Sequence, residues 1–93
     1  MKTFGDVNSG DIVIYAPDKL VVEAKDLATG YVKEVSDNKY YQRHFVIEVP
    51  KYNQTFEITV HKDNRVCAIL GNGWFYTTVE ECIENELYLN DEM

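Results

Sequence analysis

Two histidines, His44 and His61, are the side chains of this sequence whose ordinary pKa suits a general base near neutral pH. Each is expected on a strand or at the end of one, and neither has a nucleophile or a metal ligand at motif spacing. Folding could still bring such partners to them. A strand histidine without a catalytic role is the simpler interpretation. A small hydrolase or ligand-binding protein that uses His44 or His61 is kept as the alternative.

Metal and phosphate chemistry is not indicated by the remaining polar residues. The aspartates at positions 6, 11, 37 and 63 fall at turns or strand entries, where carboxylates typically accept hydrogen bonds from the backbone. Gly71-Asn72-Gly73 is rich in glycine, but a strand is expected to follow it, whereas a phosphate loop leads into a helix. We therefore expect no catalytic residue, no metal ligand and no cofactor.

The two cysteines and the apolar segments bear on the compartment. Cys67 and Cys82 are separated by 14 intervening residues, a spacing that fits neither a zinc site nor a redox pair. Two buried free thiols are expected, with a disulfide between a strand and the helix as the alternative. The N-terminus shows no secretory signal, and the longest apolar run, Ile12 to Ala16, is far shorter than the roughly 20 residues of a membrane span. These features predict a soluble, cytoplasmic protein.

Aromatic side chains are the most promising binding groups, because the sequence holds more of them than one small core can bury. Neighbours on a strand point to opposite faces, so at least one ring of Tyr40-Tyr41 and one of Trp74-Phe75-Tyr76 should be exposed. The exposed rings either shield a thin sheet or form a recognition patch. The residue types that dominate protein interfaces are here Tyr41, Arg43, Trp74 and Tyr76.

Negative charge is concentrated at one end of the chain. The formal net charge is −7, and residues 80–92 hold six acidic residues without a lysine or arginine. Such a balance argues against direct binding of nucleic acid or anionic lipid. Either this is a solvated helix face, or it meets a basic protein surface through Glu80, Glu81 and Glu84. A nucleic-acid mimic that occupies a basic groove of a host defence protein is a further alternative.

The elements that must position these residues are mainly strands, in one domain over residues 1–93. Segments rich in β-branched and aromatic residues alternate with turn residues, which predicts an antiparallel meander curled into a small barrel or a bent sheet. An edge strand such as Thr55–Val60 could pair with its copy, giving a homodimer; otherwise the protein is a monomer. The predicted strands are Asp11–Ala16, Tyr31–Ser36, Tyr40–Val49, Thr55–Val60, Arg65–Leu70 and Trp74–Thr77.

The segment Lys19–Thr29 fits two structures. Its apolar residues alternate as in a strand, yet they also fit one face of a helix that Asp18 would cap and Gly30 would end. Consecutive β-branched residues favour a strand over Leu20–Lys25, followed by a bend.

One α-helix is predicted at the C-terminal end, over residues 79–88, followed by a loose tail at 90–93. Thr78 and Glu81 have the spacing of a capping box, in which each side chain bonds a free backbone amide of the first turn. Its predicted apolar face comprises Val79, Cys82, Ile83 and Leu87.

Three segments of the chain carry a resemblance at the level of the fold. They are Phe4-x-Asp6-Val7-x-x-Gly10-Asp11-x-Val13-x-Tyr15, then Val22-Glu23-Ala24-Lys25, and finally Phe75-Tyr76-Thr77-Thr78-Val79-Glu80-Glu81-Cys82-Ile83. Together they resemble small SH3-like β-barrel proteins of bacteria and phages, in which a C-terminal helix plugs the barrel. Asp26 to Gly30 are additional to that pattern.

The resemblance implies a barrel fold and a mobile-element origin, and it transfers no catalytic residue. Combined with the aromatic and acidic surfaces, it leads us to expect a non-enzymatic protein-binding module. A phage-type inhibitor of a host protein is the specific version of that expectation.

Overall fold

Six strands run antiparallel in one sheet of the computed structural model, which describes residues 1–87. The order in the sheet is β4-β3-β2-β1-β6-β5, and the sheet bends into a nearly closed barrel. This confirms the predicted antiparallel meander with one short C-terminal helix. The strands are β1 (Ile12–Pro17), β2 (Ala28–Asp37), β3 (Gln42–Val49), β4 (Gln54–His61), β5 (Val66–Ile69) and β6 (Gly73–Tyr76).

The barrel interior is filled by the apolar side chains that alternate along the strands. Val13 and Tyr15 point inward from β1, as the two-residue period of a strand requires. At Gly30 on β2, a Cβ atom would lie 2.8 Å from Ile47 Cγ2, so the packing there excludes any side chain. The interior residues are Phe4, Val7, Val13, Tyr15, Ala28, Val32, Phe45, Ile47, Val49, Phe56, Ile58, Val60 and Phe75.

A second, smaller core lies on the outer face of β1 and β6. The helix α1 (Val79–Cys82) continues into a π-helical turn (Ile83–Leu87) and packs on this face. The buried members of the outer core are Ile14, Ala16, Tyr76 and Cys82. The helix packs outside the barrel because aromatic rings already fill the interior. The resemblance, in contrast, implies a helix that plugs the barrel.

The helix begins as predicted, but its apolar face is only partly buried. The Thr78 side chain accepts a hydrogen bond from the Glu81 N–H at 3.1 Å, which confirms the N-cap. Of the predicted apolar face, Cys82 is buried, whereas Val79 and Ile83 are exposed. The Leu87 side chain and the predicted tail at 90–93 lie outside the described residues.

The predicted strand over Leu20–Lys25 is wrong. These residues form a loop that ends in a 3-10 turn over Ala24–Asp26, and the Leu20 side chain is 99% exposed. The Asp26 carboxylate accepts hydrogen bonds from the Glu23 N–H and from Lys19 Nζ, both at 2.9 Å. These bonds hold a turn where strand alternation would have to continue, so the next strand begins only after it.

The connection between β2 and β3 is longer than predicted. The Asn38 side-chain oxygen accepts from the N–H groups of Tyr40 and Gln42, at 2.8 and 3.2 Å. This turn takes up four residues, 38–41, and it moves Tyr40 and Tyr41 out of the predicted strand. Tyr41 has a φ of 59°, a left-handed conformation that is uncommon for residues other than glycine.

Short 3-10 turns join or precede the strands at Phe4–Asp6 and Pro50–Tyr52. Both cysteines are free, as predicted, with Cys82 buried and Cys67 half-buried. Across residues 1–87, no helix has the length and apolar character needed to cross a membrane.

Candidate functional site

A shallow groove crosses the outer face of β1 and β2 beside the helix. Its end next to α1 is a depression of about 190 Å³, and the adjoining part measures about 320 Å³. Both parts are lined by Leu27, Ala28 and Thr29, so they form one continuous depression, which we call the outer groove. The remaining lining residues are Ile14 and Val79 at the helix end and Tyr31, Pro50 and Lys51 at the other.

Two strands and the loop before β2 build this groove. The register places Ile12 opposite Tyr31 and Ile14 opposite Thr29, so these pairs share the outer face. The Asp26 turn then brings Leu27 to the edge of that face. Lys51 Nζ donates to the Leu27 carbonyl oxygen at 3.0 Å, and the Tyr52 hydroxyl donates to the Asp26 carbonyl oxygen at 2.6 Å. These side chains of Lys51 and Tyr52 therefore hold the loop before β2 in place, and with it the shape of the groove, by bonding its backbone carbonyl oxygens.

Large apolar side chains in or next to the groove stay half exposed. Tyr31 and Val79 line the groove, Ile12 lies opposite Tyr31 in the register, and Ile83 follows Val79 by four residues in the helical segment. Ile12 and Tyr31 are 50% and 45% exposed, and Val79 and Ile83 on the helical segment are 46% and 43% exposed. Single exposed apolar residues are common on protein surfaces, but several around one depression are typical of an interaction site. The described residues leave this apolar surface uncovered.

Two acidic side chains flank the apolar residues of the helical segment. Glu80 follows Val79 and Glu84 follows Ile83, and both glutamates are exposed. Their spacing of four residues places them on the same side of the helical segment. They also line a cleft of about 240 Å³ that has Lys2 and Arg65 among its lining residues. The helical segment therefore lines the outer groove with Val79 and carries two exposed carboxylates in a separate, neighbouring cleft.

The other two acidic side chains of the described helix are engaged within the protein. Arg65 Nη1 donates to Glu81 Oε2 at 3.2 Å, and the Tyr76 hydroxyl donates to Glu86 Oε1. Burial, followed by the contact with Glu86, raises the pKa of the Tyr76 hydroxyl well above its ordinary value. Glu81, predicted as a partner-binding residue, is thus held in an ion pair at the flank of the helix.

The predicted aromatic patch is distributed over different faces of the barrel. Trp74 and Tyr76 share the outer face of β6, where Trp74 is half-buried and Tyr76 is buried beneath the helix. Arg43 instead lies on the face of β3 that supplies Phe45 to the interior, so it points to the end of the barrel. The structure brings Trp74 and Tyr76 together, and it separates them from Arg43.

Arg43 fastens the N-terminal turn to the barrel. Its Nη1 atom lies 3.3, 2.9 and 2.7 Å from the carbonyl oxygens of Phe4, Gly5 and Val7, and Nε donates to Asp37 Oδ1 at 3.0 Å. These contacts occupy most of the guanidinium donors. Such an arrangement supports the fold and leaves few donors for a partner.

Tyr41 is the member of the predicted patch with an exposed ring. Its ring centroid lies 5.1 Å from that of His61, and Lys62 Nζ lies 5.2 Å from the Tyr41 centroid. His61 Nδ1 accepts a hydrogen bond from the Asp63 N–H at 3.2 Å. This histidine therefore belongs to a local cluster at the β4–β5 turn.

His44 lies between a hydroxyl and a carboxylate on the outer surface of β3 and β4. Nδ1 is 3.1 Å from Thr59 Oγ1 and Nε2 is 3.2 Å from Glu57 Oε1. The ring lines a wide depression with Ser9 and Ser36 among its neighbours. Cross-strand side-chain pairs of this kind stabilise sheets, and all three groups are accessible to water.

Residues 1–87 contain no group of three or more histidine, cysteine, aspartate or glutamate side chains that could hold a metal ion. The sequence reasoning also missed most of the outer groove. Its clearest available signal is the β1–β2 pairing, which sets the exposed Tyr31 against Ile12. That pairing could not be predicted because the segment before β2 was assigned to a strand.

No known protein family matches this chain, and no similar curated protein or solved structure was found. The likeness to SH3-like barrels therefore rests on architecture, since a small, nearly closed antiparallel barrel with one short helix is compatible with that fold.

Proposed function

We propose that this protein is a non-enzymatic protein-binding module that holds a segment of its partner in the outer groove. One observation carries the proposal: the half-exposed side chains of Tyr31 and Val79 line one depression, with exposed apolar side chains beside them and two exposed carboxylates on the same helical segment as Val79. An apolar centre with a polar rim is the usual anatomy of a protein interface.

The charge of these two carboxylates indicates the chemistry of the partner. Glu80 and Glu84 have no ion-pair partner within residues 1–87, so a lysine or arginine of the partner can approach them. The partner segment should place an apolar side chain against Leu27 and Val79, with a basic residue beside it. Electrostatic complementarity of this type gives specificity and speeds association.

An inhibitor of a host protein, encoded by a phage or another mobile element, is the specific form of this function that the SH3-like resemblance implies. A nucleic-acid mimic is the weaker alternative. Glu81 is held by Arg65 and Glu86 by Tyr76, so only Glu80 and Glu84 of the described helical acids are free to imitate a row of phosphates.

The experiment compares capture of partners by matched variants. The tagged wild-type protein, a Val79→Ser/Ile83→Ser variant and a Leu20→Ser/Leu70→Ser control are incubated with lysate of the native host. The control changes two leucines that are each 99% exposed and do not line the groove. Thermal melting first checks that all three proteins are folded.

A partner captured by the wild type and the control, but depleted at least tenfold from the Val79→Ser/Ile83→Ser sample, supports the proposal. Equal capture by all three proteins would place the binding surface elsewhere. Binding lost only in the control would assign it to the exposed loop leucines instead.

A further inference from the structure

Within residues 1–87, the strand β4 forms one edge of the sheet, and no other strand pairs with its outer side. It pairs with β3 without interruption, from Gln42 opposite His61 to Val49 opposite Gln54. The other edge, β5, is only four residues long. β4 is therefore the longer surface on which a further strand could be added.

The alternation of hydrogen-bonded and non-bonded residue pairs shows which backbone N–H and C=O groups of β4 point away from β3. The Lys62 N–H donates to the Tyr41 carbonyl oxygen at 3.1 Å, so the pair formed by these two residues is hydrogen-bonded. Hydrogen-bonded and non-bonded pairs alternate along an antiparallel ladder. The backbone groups of Thr55, Glu57 and Thr59 consequently point away from β3, and their side chains are exposed.

This edge lacks the features that usually prevent pairing. Protective devices include lysine or proline on the edge strand and bulges that twist it away. β4 contains neither lysine nor proline, and its pairing with β3 has no register shift. Glu57 is the one acidic residue of β4, and its carboxylate accepts a hydrogen bond from His44.

We propose that two copies of the chain pair through β4, antiparallel about a two-fold axis at Ile58. In this register Glu57 lies opposite the partner's Thr59, and Phe56 lies opposite the partner's Val60. Apolar side chains then meet on the inner face, where Phe56, Ile58 and Val60 form part of the core.

The choice of axis follows from charge. An axis one residue earlier would place Glu57 directly against the partner's Glu57, and like charges at opposite positions are destabilising. An axis at Phe56 would shorten the pairing, because the strand begins at Gln54. The axis at Ile58 keeps the pairing within β4, from Thr55 to His61, and moves the partner's Glu57 from the position opposite Glu57 to a diagonal one.

Disulfide trapping tests the register. Glu57→Cys protein with a larger tag is mixed with Thr59→Cys protein and oxidised by glutathione, alongside each variant alone and the wild type, which keeps both native cysteines. Hydrogen-bonded partners have Cα atoms about 5.5 Å apart, within the reach of a disulfide. The mixture should yield at least fivefold more covalent dimer than either variant alone. Equal yields, or none, would overturn this register.

Sedimentation equilibrium tests the pairing itself. Thr59→Pro removes an outward N–H in each copy, at an edge position where proline is tolerated. The association constant should fall at least tenfold, while the matched Thr59→Ala variant, which keeps the N–H, should stay within threefold of the wild type. A wild type that remains monomeric at millimolar concentration would overturn the proposal, and it would leave protein binding at the outer groove unaffected.

Discussion

Arg65 Nη1 lies 3.2 Å from Glu81 Oε2, and this contact separates the acidic side chains of the helix into two groups. Glu81 is mostly buried in its ion pair, whereas Glu80 and Glu84 stay exposed beside the outer groove. The carboxylates therefore have different roles. Glu81 and Glu86 hold the helix against the barrel, whereas Glu80 and Glu84 remain free for a partner.

Removing the charge of Glu81 should lower stability more than removing that of Glu84. Glu81→Gln loses a partly buried ion pair, which is worth about 0.5–1 kcal/mol when one partner remains accessible. Glu84→Gln, the matched control, should change the free energy of unfolding by less than about 0.5 kcal/mol. Urea denaturation measures both. Equal losses would contradict the structural role assigned to Glu81.

Arg43 should be among the most sensitive polar residues of the fold. Arg43→Gln leaves the carbonyl oxygens of Phe4, Gly5 and Val7 without their shared donor. The free energy of unfolding should fall by about 2–4 kcal/mol, because polar groups in the interior lose their partner. Lys33→Gln, which breaks an exposed pair with Glu48, serves as the control and should cost less than about 1 kcal/mol. Similar losses would show that Arg43 is not a structural anchor.

The regular strands could be predicted from the sequence, since alternation and turn residues determine them locally. β4 and the Thr78 N-cap agree with that prediction to within a residue. The Asp26 turn could not be predicted because it depends on a contact with Lys19, and the alternating apolar residues between the two favoured a strand. The role of Arg43 also escaped prediction, since it depends on residues 36 to 39 positions away in the chain. The role of Tyr76 depends on how the helical segment packs back onto β6.

Asp26 should make stability depend on acid pH. Its carboxylate accepts from the Glu23 N–H and from Lys19, which lowers the pKa of Asp26 below its ordinary value. A lowered folded-state pKa contributes stability above the unfolded pKa of about 3.9, and that contribution is lost as the pH falls through the folded-state value. Asp26→Asn should therefore destabilise the protein at pH 7 and have a smaller effect at pH 2.

Urea denaturation at the two pH values measures the difference. Hydrogen bonds from Thr3 also lower the pKa of Asp6. Asp26→Asn should therefore remove only part of the decrease in the free energy of unfolding that the wild type shows at acid pH. A variant that loses equal stability at pH 7 and pH 2 would rule out the linkage to ionisation of Asp26.

The Cys82 thiol should be unreactive in the folded protein. Burial, with a smaller effect from Glu86, raises the pKa of Cys82 to about 12. At pH 8 roughly one thiol in ten thousand would then be ionised, and the thiolate is the reactive form. Native protein treated with iodoacetamide should retain unmodified Cys82 by mass spectrometry, whereas protein in urea should be modified at both cysteines. Rapid labelling of native Cys82 would contradict its burial against β1 and β6.

The outer groove as a docking surface is tested most directly by nuclear magnetic resonance with defined peptides. The ¹⁵N-labelled protein is titrated with a peptide of alternating leucine and lysine, and with two control peptides in which serine replaces leucine or glutamate replaces lysine. The expected result is saturable shifts at Thr29, Tyr31, Val79 and Ile83 with the leucine–lysine peptide alone, weakened by Glu80→Gln/Glu84→Gln. Equal shifts with the serine–lysine peptide, or saturable shifts confined to residues away from the groove, would contradict the account.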